Sequence, residues 1–485
     1  MKIIQLHHYI QDTASLFDLV ADELWAQYLD SGFSYGTTNK AAEGLDILVC
    51  HPQRILLTFG AETEVYGAPK SFGDRRRSLS QTSAENPFTL LKAELAKYEL
   101  DFSNCSAQQQ QEIPFWGGAI GYFGYELARR LEELPEHTQD DIGLPDMAIG
   151  IYEVAIVSCH KHRKSWLLDI TGENRHLKEF WLEKINSLDY SKKTLIDISD
   201  AWQAVGAQNS SYTRKSYSEK FSKIQAYLNA GDCYQINLTN RFEVPVSGSA
   251  WQSYLKMRSL SMAPFGAYMN FPFAQVLSNS PERFVECLDS VVKTSPIKGT
   301  RPRDLEVLER DLELAHELEQ SSKDRAENVM IVDLLRNDLG RVCEIGSVQV
   351  PELFAVESFA NVHHLVSHIS GRLCDGVHAI DLLEACFPGG SITGAPKKRA
   401  MEIIDELEEY CRGIYCGAIG WIDFRGNMET NIAIRTITCA DGRSYFSAGG
   451  GIVIDSEENA EYQELQDKAA IMIKTVGVDG CENFK

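Results

Sequence analysis

Positive charge is what this chain has too little of. Its 485 residues hold 47 Lys and Arg against 69 Asp and Glu, a formal net charge of −22. That balance argues against nucleic acid as a partner, because phosphate binding rests on clustered positive charge. No stretch of about 18 uncharged apolar residues occurs, so no membrane span is expected. The opening Met1-Lys2-Ile3-Ile4-Gln5-Leu6-His7-His8 breaks its apolar run too early for a secretory leader, and a cytoplasmic protein is expected. Twelve cysteines are present, but none forms a CxxC spacing, the closest pair being Cys411 and Cys416. That removes zinc ribbons and dithiol redox centres and leaves scattered reduced thiols. Internal repeats and a GxxxxGK[ST] phosphate loop are also missing.

What the chain does have is the make-up of a large globular protein, 44% hydrophobic and 24% charged, enough for one or two bodies. Short apolar strands such as Leu45-Asp46-Ile47-Leu48-Val49 alternate with polar helical stretches as far as the polar segment Asp197 to Ser211. A soft boundary placed there divides an N-terminal region, 1–205, from a second region, 206–485. Beyond it Tyr217, Phe221, Ile224 and Leu228 recur at helical spacing, Gly231 supplies a left-handed stop, and Tyr234, Ile236 and Leu238 alternate as in a strand. Helices are predicted over Leu305 to Leu318 and Glu327 to Leu335, and hairpin turns at Arg425-Gly426-Asn427 and Asp441-Gly442. The run Gln108 to Gln111 reads as a surface loop. Consecutive hairpins among long helices predict a layered α/β architecture of the α+β kind, with antiparallel sheets, rather than a doubly wound parallel sheet.

Several constellations could carry chemistry. Asp324 with Glu327, and Glu461 with Glu464, stand at i, i+3, so each pair shares one helix face, and Lys468 extends the second face by a turn. Such pairs suit a Mg2+ site that keeps positions open for water and a substrate oxyanion. In a chain with 69 acids they also suit solvated helix surface. Lys298, in Ser295-Pro296-Ile297-Lys298-Gly299-Thr300, sits at an apolar strand end. Desolvation there would lower its pKa and make it a nucleophile; the alternative is a lysine snorkelling to water. Glu282, in Ser280-Pro281-Glu282-Arg283, is a candidate general acid or an ion-pair partner of its neighbouring arginine. The turn Pro388 to Lys398 offers backbone N–H groups and the hydroxyls of Ser391 and Thr393, fit for a carboxylate or for plain helix capping. Gly449-Gly450-Gly451 lets a ligand approach the backbone closely or forms a bulge. His363, His364 and His368 cluster, but strand alternation turns His363 away from the other two and no cysteine stands at ligand spacing, so zinc is not expected.

Taken together these segments resemble the chorismate-utilising enzymes, the family of anthranilate synthase component I, isochorismate synthase and salicylate synthase. The resemblance is dense from Cys233 to Ala470, through Cys233-Tyr234-Gln235-Ile236-Asn237-Leu238, Ser280-Pro281-Glu282, Pro296-Ile297-Lys298-Gly299-Thr300, Asp333-Leu334-Leu335-Arg336-Asn337-Asp338, the Gly389 to Lys397 loop and Gly449-Gly450-Gly451. Before residue 205 it is looser and best at Trp116-Gly117-Gly118-Ala119-Ile120-Gly121-Tyr122-Phe123-Gly124-Tyr125. It implies a sandwich of two large antiparallel sheets flanked by helices, with chorismate bound between the glycine loops and the acidic helices. It implies that Glu327 and Glu464 bind Mg2+, supported through water by Asp324 and Glu461, although the family commonly has Glu where this chain has Asp324. His364, Ser391, Tyr415, Arg435, Gly449, Gly451 and Lys468 fall on chorismate-contacting positions, with Gly299, Thr300 and Gly450 in the same motifs. Arg435 and Lys468 suit carboxylates, and His364 would assist at the reacting ring.

Lys298 separates branches of the family: anthranilate-forming members usually read Pro-Ile-Ala-Gly-Thr, whereas the lysine is typical of the branch that aminates chorismate at C4. The implied chemistry has Glu282 protonate the departing C4 hydroxyl, Lys298 add at C2, and ammonia then attack C4 as the lysine is expelled. The product, 4-amino-4-deoxychorismate, leads towards 4-aminobenzoate and folate. The water-activating lysine of isochorismate and salicylate synthases is replaced here by Gln235. Two alternatives are an anthranilate-forming enzyme and a non-catalytic tryptophan-binding partner of a glutaminase. None of the twelve cysteines stands in a Gly-x-Cys-x-Gly elbow, so ammonia is expected from a separate glutamine amidotransferase subunit. Leu29-Asp30-Ser31-Gly32 and Pro264-Phe265-Gly266 resemble the edges of the family's tryptophan pocket, with a long stretch between Ser31 and Asp46.

Overall fold

A strand that is apolar on both faces needs cover on both faces. In Leu45–Val49, Ile47 and Val49 enter one buried cluster while Leu48 and the following Cys50 enter another. Gly118–Phe123 behaves likewise, sending Ile120 and Tyr122 to one side and Ala119 and Phe123 to the other. Two sheets stacked face to face, each with helices on its outer side, satisfy this pattern. The computed structural model, which describes residues 1–33, 44–69, 76–103, 105–188, 197–359 and 362–478, has that architecture. Between the sheets lie Trp116, Tyr122, Tyr152, Trp166 and Trp421. Outside the first sheet, Ile224 and Leu228 of the Arg214–Ala230 helix and Leu465, Ala469 and Met472 of the Glu458–Thr475 helix close a second layer of core. Outside the second sheet, Ile331, Leu335 and Leu339 of the Ser322–Gly340 helix and Ile380 and Leu383 of the Ala379–Cys386 helix close a third. Each fully buried Leu or Ile of these layers contributes roughly 1.5–3 kcal/mol.

Among the described residues one sheet has 13 strands and the other 12, with antiparallel neighbours. Both sheets draw strands from either side of residue 205. Ala26–Asp30 pairs with Phe265–Asn270 in the register Tyr28 to Tyr268, and Gly118–Phe123 with Ala418–Asp423 in the register Gly121 to Gly420. The expected antiparallel sandwich with flanking helices is therefore what forms. No described helix is long and apolar enough to cross a membrane.

The predicted hairpins lie between Ala418–Asp423 and Met428–Ile432 and between Thr436–Ala440 and Arg443–Ile452. Asp441 and Gly442 both have positive φ, +50° and +73°, as a tight hairpin requires. Gly231, at φ +80°, ends the Arg214–Ala230 helix as expected. Two expectations are corrected. Gln108 to Gln111 is helical, within Ala107–Glu112, because Ser106 and Gln109 form a reciprocal capping box. The helix expected from Leu305 starts only at Leu308, because Asp304 accepts the N–H groups of Glu306 and Val307 and holds them in a turn.

Candidate active site

Gly299 lies at φ +78°, and a Cβ there would stand 2.8 Å from both Asp324 Cγ and Leu318 Cδ1. Glycine lets the Ile297–Pro302 strand bulge against Val362–Arg372, where the register shifts between Lys298 and Thr300. Lys298 Nζ donates to the Ser391 carbonyl at 3.3 Å. Burial pushes this ammonium below the ordinary lysine value, while Glu327, Glu282 and Glu464 pull it up and Lys468 pushes it further down. Glu282 is 7% exposed. Burial lifts its carboxyl above the usual range, restrained by Lys298, a hydrogen bond with the Ser391 side chain, Lys468 and the Ile297 backbone. Arg283 turns instead to Glu286 at 3.0 Å and Glu429 at 2.7 Å, so the adjacent-pair reading of Glu282 does not hold. Ser391 thus touches the two groups expected to exchange protons and bonds with substrate.

The acidic pairs face each other across the site. Glu461 is 4% exposed, accepts from Ser456 Oγ at 2.6 Å and lies 3.3 Å from Lys323 Nζ. The same lysine is 4.0 Å from Glu327, while Asp324 pairs with Arg301 at 3.2 Å. Burial raises the Glu327 carboxyl, Lys298 and Lys323 draw it down, and Glu461 and Asp324 push it up again. Burial opposes the charge of Glu464, but Lys468 at 2.6 Å, with Lys298 and Lys323, holds it below the usual range. These are hard oxygen donors of the kind Mg2+ prefers, here paired with Lys323, Lys468 and Arg301. Among the described residues no three His, Cys, Asp or Glu side chains already converge at ligating distance.

The glycine run lets this charge approach the backbone. Lys468 Nζ donates to the Gly449 carbonyl at 3.0 Å. A Cβ on Gly450 would lie 3.2 Å from Glu461 Oε2 and 3.9 Å from Lys468 Nζ, and one on Gly451 would lie 2.8 Å from the Gln235 side chain. His364 Nδ1 is 2.9 Å from Thr300 Oγ1. Burial, with Arg435 nearby, pulls the His364 pKa down to about 4, leaving a neutral imidazole. Arg435 itself is lowered by burial alone, so no carboxylate among the described residues neutralises it. Tyr415 is buried, and burial raises its phenol. Thr393 donates inward to the Gly389 carbonyl at 3.0 Å and is wholly buried, so of the two hydroxyls in that turn only Ser391 faces the catalytic groups. His363 is turned away as expected, to Asp311 at 3.0 Å, whereas His368 pairs with Glu357 at 2.9 Å.

Of the segments expected to edge a tryptophan pocket, Gly266 lies opposite Asp30 in the sheet, bringing Pro264, Phe265 and Ser31 into one neighbourhood. The Ser31 hydroxyl and amide both donate to Asp46 Oδ1, at 2.6 and 2.9 Å. Much of the long stretch between Ser31 and Asp46 lies outside the described residues. Sequence reasoning missed Lys323 between the acids, whose signal was its place four residues before Glu327. It also missed that both side-chain polar atoms of buried Gln235 have no hydrogen-bond partner in the described structure; no local pattern marks that.

Known proteins resemble this chain over most of its length. The family model for the chorismate binding enzyme matches residues 56–474. Aminodeoxychorismate synthase component 1 of Escherichia coli (strain K12) is 45% identical over 465 residues, 96% of each chain. Anthranilate synthase component 1 of Acetivibrio thermocellus is 34% identical over 416 residues, 83% of this chain and 82% of that one. The crystal structure of anthranilate synthase component I from Streptococcus pneumoniae TIGR4 superposes with a TM-score of 0.75 at 31% identity, covering 90% of this chain and 93% of that one. With its two-sheet sandwich, its lysine and glutamate under one turn, and a family match across most of its length, the chain belongs to the chorismate binding enzymes.

Proposed function

We propose that this chain aminates chorismate at C4, forming 4-amino-4-deoxychorismate. One observation carries the reading: a lysine, Lys298, stands among Glu282, Glu327 and Ser391, with burial lowering its pKa towards a usable amine. Amination at C2 with loss of pyruvate, the anthranilate outcome, has no use for such a nucleophile. The higher identity to the relative named as an aminodeoxychorismate synthase component supports the same choice.

Arg435, uncompensated by any described carboxylate, receives one carboxylate of chorismate. Glu327 and Glu464, with Asp324 and Glu461 behind them, would hold Mg2+, which supplies positive charge opposite the other carboxylate. Glu282, whose carboxyl burial shifts towards the protonated form, gives its proton to the C4 hydroxyl. As the C4–O bond breaks and water leaves, the neutral Lys298 amine bonds to C2 and the ring double bonds shift. Ammonia then bonds to C4, the double bonds return, the C2–N bond breaks to release Lys298 as a neutral amine, and the new C4 ammonium returns one proton to Glu282. Neutral His364, hydrogen-bonded to Thr300, lines the ring without adding charge. Ammonia comes from glutamine through a separate amidotransferase subunit, since no cysteine here stands in a nucleophile elbow. Mass analysis of the product from chorismate, Mg2+ and ammonium with the chain alone tests the reading. 4-Amino-4-deoxychorismate is expected; anthranilate with pyruvate would overturn it.

A further inference from the structure

Beneath Ser391 lies a charge the proposed reaction does not use. The side chain of Arg412 is 2% exposed, and four of its five N–H groups are spent. Nε and Nη2 grip Glu408 at 2.8 and 2.7 Å; Nη1 donates to the Ile392 carbonyl at 2.9 Å and Nη2 to the Asn237 carbonyl at 2.8 Å. The guanidinium also lies over the Tyr125 ring, 4.7 Å from its centre. Asn237 closes the same knot, its Nδ2 donating to the Ile392 carbonyl and its backbone N–H to the Thr393 carbonyl, both at 2.9 Å. On the far side Glu126 accepts the backbone N–H groups of Arg412 and Gly413, each at 2.8 Å. Burying this much charge is expensive, and apolar residues of similar size would often serve stability as well. What they could not do is hold the Ile392 carbonyl, one residue beyond the side chain and carbonyl through which Ser391 meets Glu282 and Lys298.

The geometry points to Arg412, fixed by Glu408 and Glu126, as a positioning residue that sets the Ser391 turn so that one residue engages both Glu282 and Lys298. It rests on the functional reading above and adds the part that keeps the acid and the nucleophile in mutual register. The planar fork is essential to it: a lysine keeps the charge opposite Glu408 but cannot span Glu408, Ile392 and Asn237 together. A misplacement of about 1 Å at such a support lowers turnover by about 10²-fold.

The experiment compares the parent with Arg412→Lys, following thermal unfolding, chorismate KM, kcat and the pH dependence of kcat. We expect a cooperatively folded variant whose KM stays within about 3-fold while kcat falls by about 10²-fold. Glu282 is faced by Lys298, Lys468, Ser391 and the Ile297 backbone. Loss of the Ser391 hydrogen bond removes one influence that holds its carboxyl down, so the limb on which activity falls with rising pH should move upward. A folded variant with parental kcat and an unmoved limb overturns the inference. If Arg412→Lys does not fold, Asn237→Ala decides, since it removes only the second donor to Ile392: kcat should drop about 10-fold with KM held, and parental kcat overturns the inference. Absence of 4-amino-4-deoxychorismate from the parent itself would instead condemn the functional reading.

Discussion

Lys298 and its activation are separable by substitution. Lys298→Ala should lower product formation by about 10²-fold or more at saturating ammonium, and a covalent adduct, expected in intact-protein mass spectra of the parent with chorismate, should be absent from the variant. Unchanged turnover would remove the lysine from the mechanism. His364 makes a distinct prediction. Its folded pKa is about 4, whereas an unfolded histidine titrates near ~6.5. Between these values the unfolded chain holds the extra proton, so stability is complete above the upper one and declines as pH falls towards the lower. The contribution at stake is about 3 kcal/mol. Glu126, raised to about 7, and Asp423, raised to about 6, act in the opposite sense, so the difference between parent and His364→Gln is the informative quantity. Chemical denaturation from pH 4 to 7 should show the variant losing less stability on acidification; parallel curves would refute a buried neutral imidazole.

The helices Ser322–Gly340 and Glu458–Thr475 present their acids to each other, with Lys323 between them. Mg2+ should therefore raise the melting temperature of the parent and restore activity after EDTA treatment. Glu327→Gln with Glu464→Gln should lose both effects; a double variant that keeps them would return these faces to surface duty. The acidic faces were legible because i, i+3 spacing fixes a shared side in any helix, and the motif around Lys298 singled that lysine out before its burial was known. The apposition of the two faces was not, since no local pattern says which helices from distant parts of a chain will meet. Arg412 was hidden for the same reason: its partners Glu126, Asn237 and Ile392 come from three separate segments. The misjudged Gln108 to Gln111 run shows the converse, where composition suggested a loop and a capping box spanning Ser106 to Gln109 decided for helix.

The whole molecule should use ammonium but not glutamine when rigorously purified, and gain glutamine-dependent synthesis when a glutaminase subunit is added. Glutamine-dependent turnover by the lone chain would mean a second active site had been overlooked. The two-sheet sandwich was readable from hairpin turns and doubly apolar strands, but its strand order was not, because pairings such as Gly121 with Gly420 join residues hundreds of positions apart. That interleaving bears on birth as well as on form. While the chain emerges from the ribosome, Ala26–Asp30 waits for Phe265–Asn270, and Gly118–Phe123 for Ala418–Asp423. Until those partners are translated, each presents an open edge of unpaired amides and carbonyls to any neighbouring nascent chain. Residues 1–205 produced alone should accordingly accumulate in the insoluble fraction. The second sheet can close only after Asp423 has been translated, late in the synthesis of a 485-residue chain.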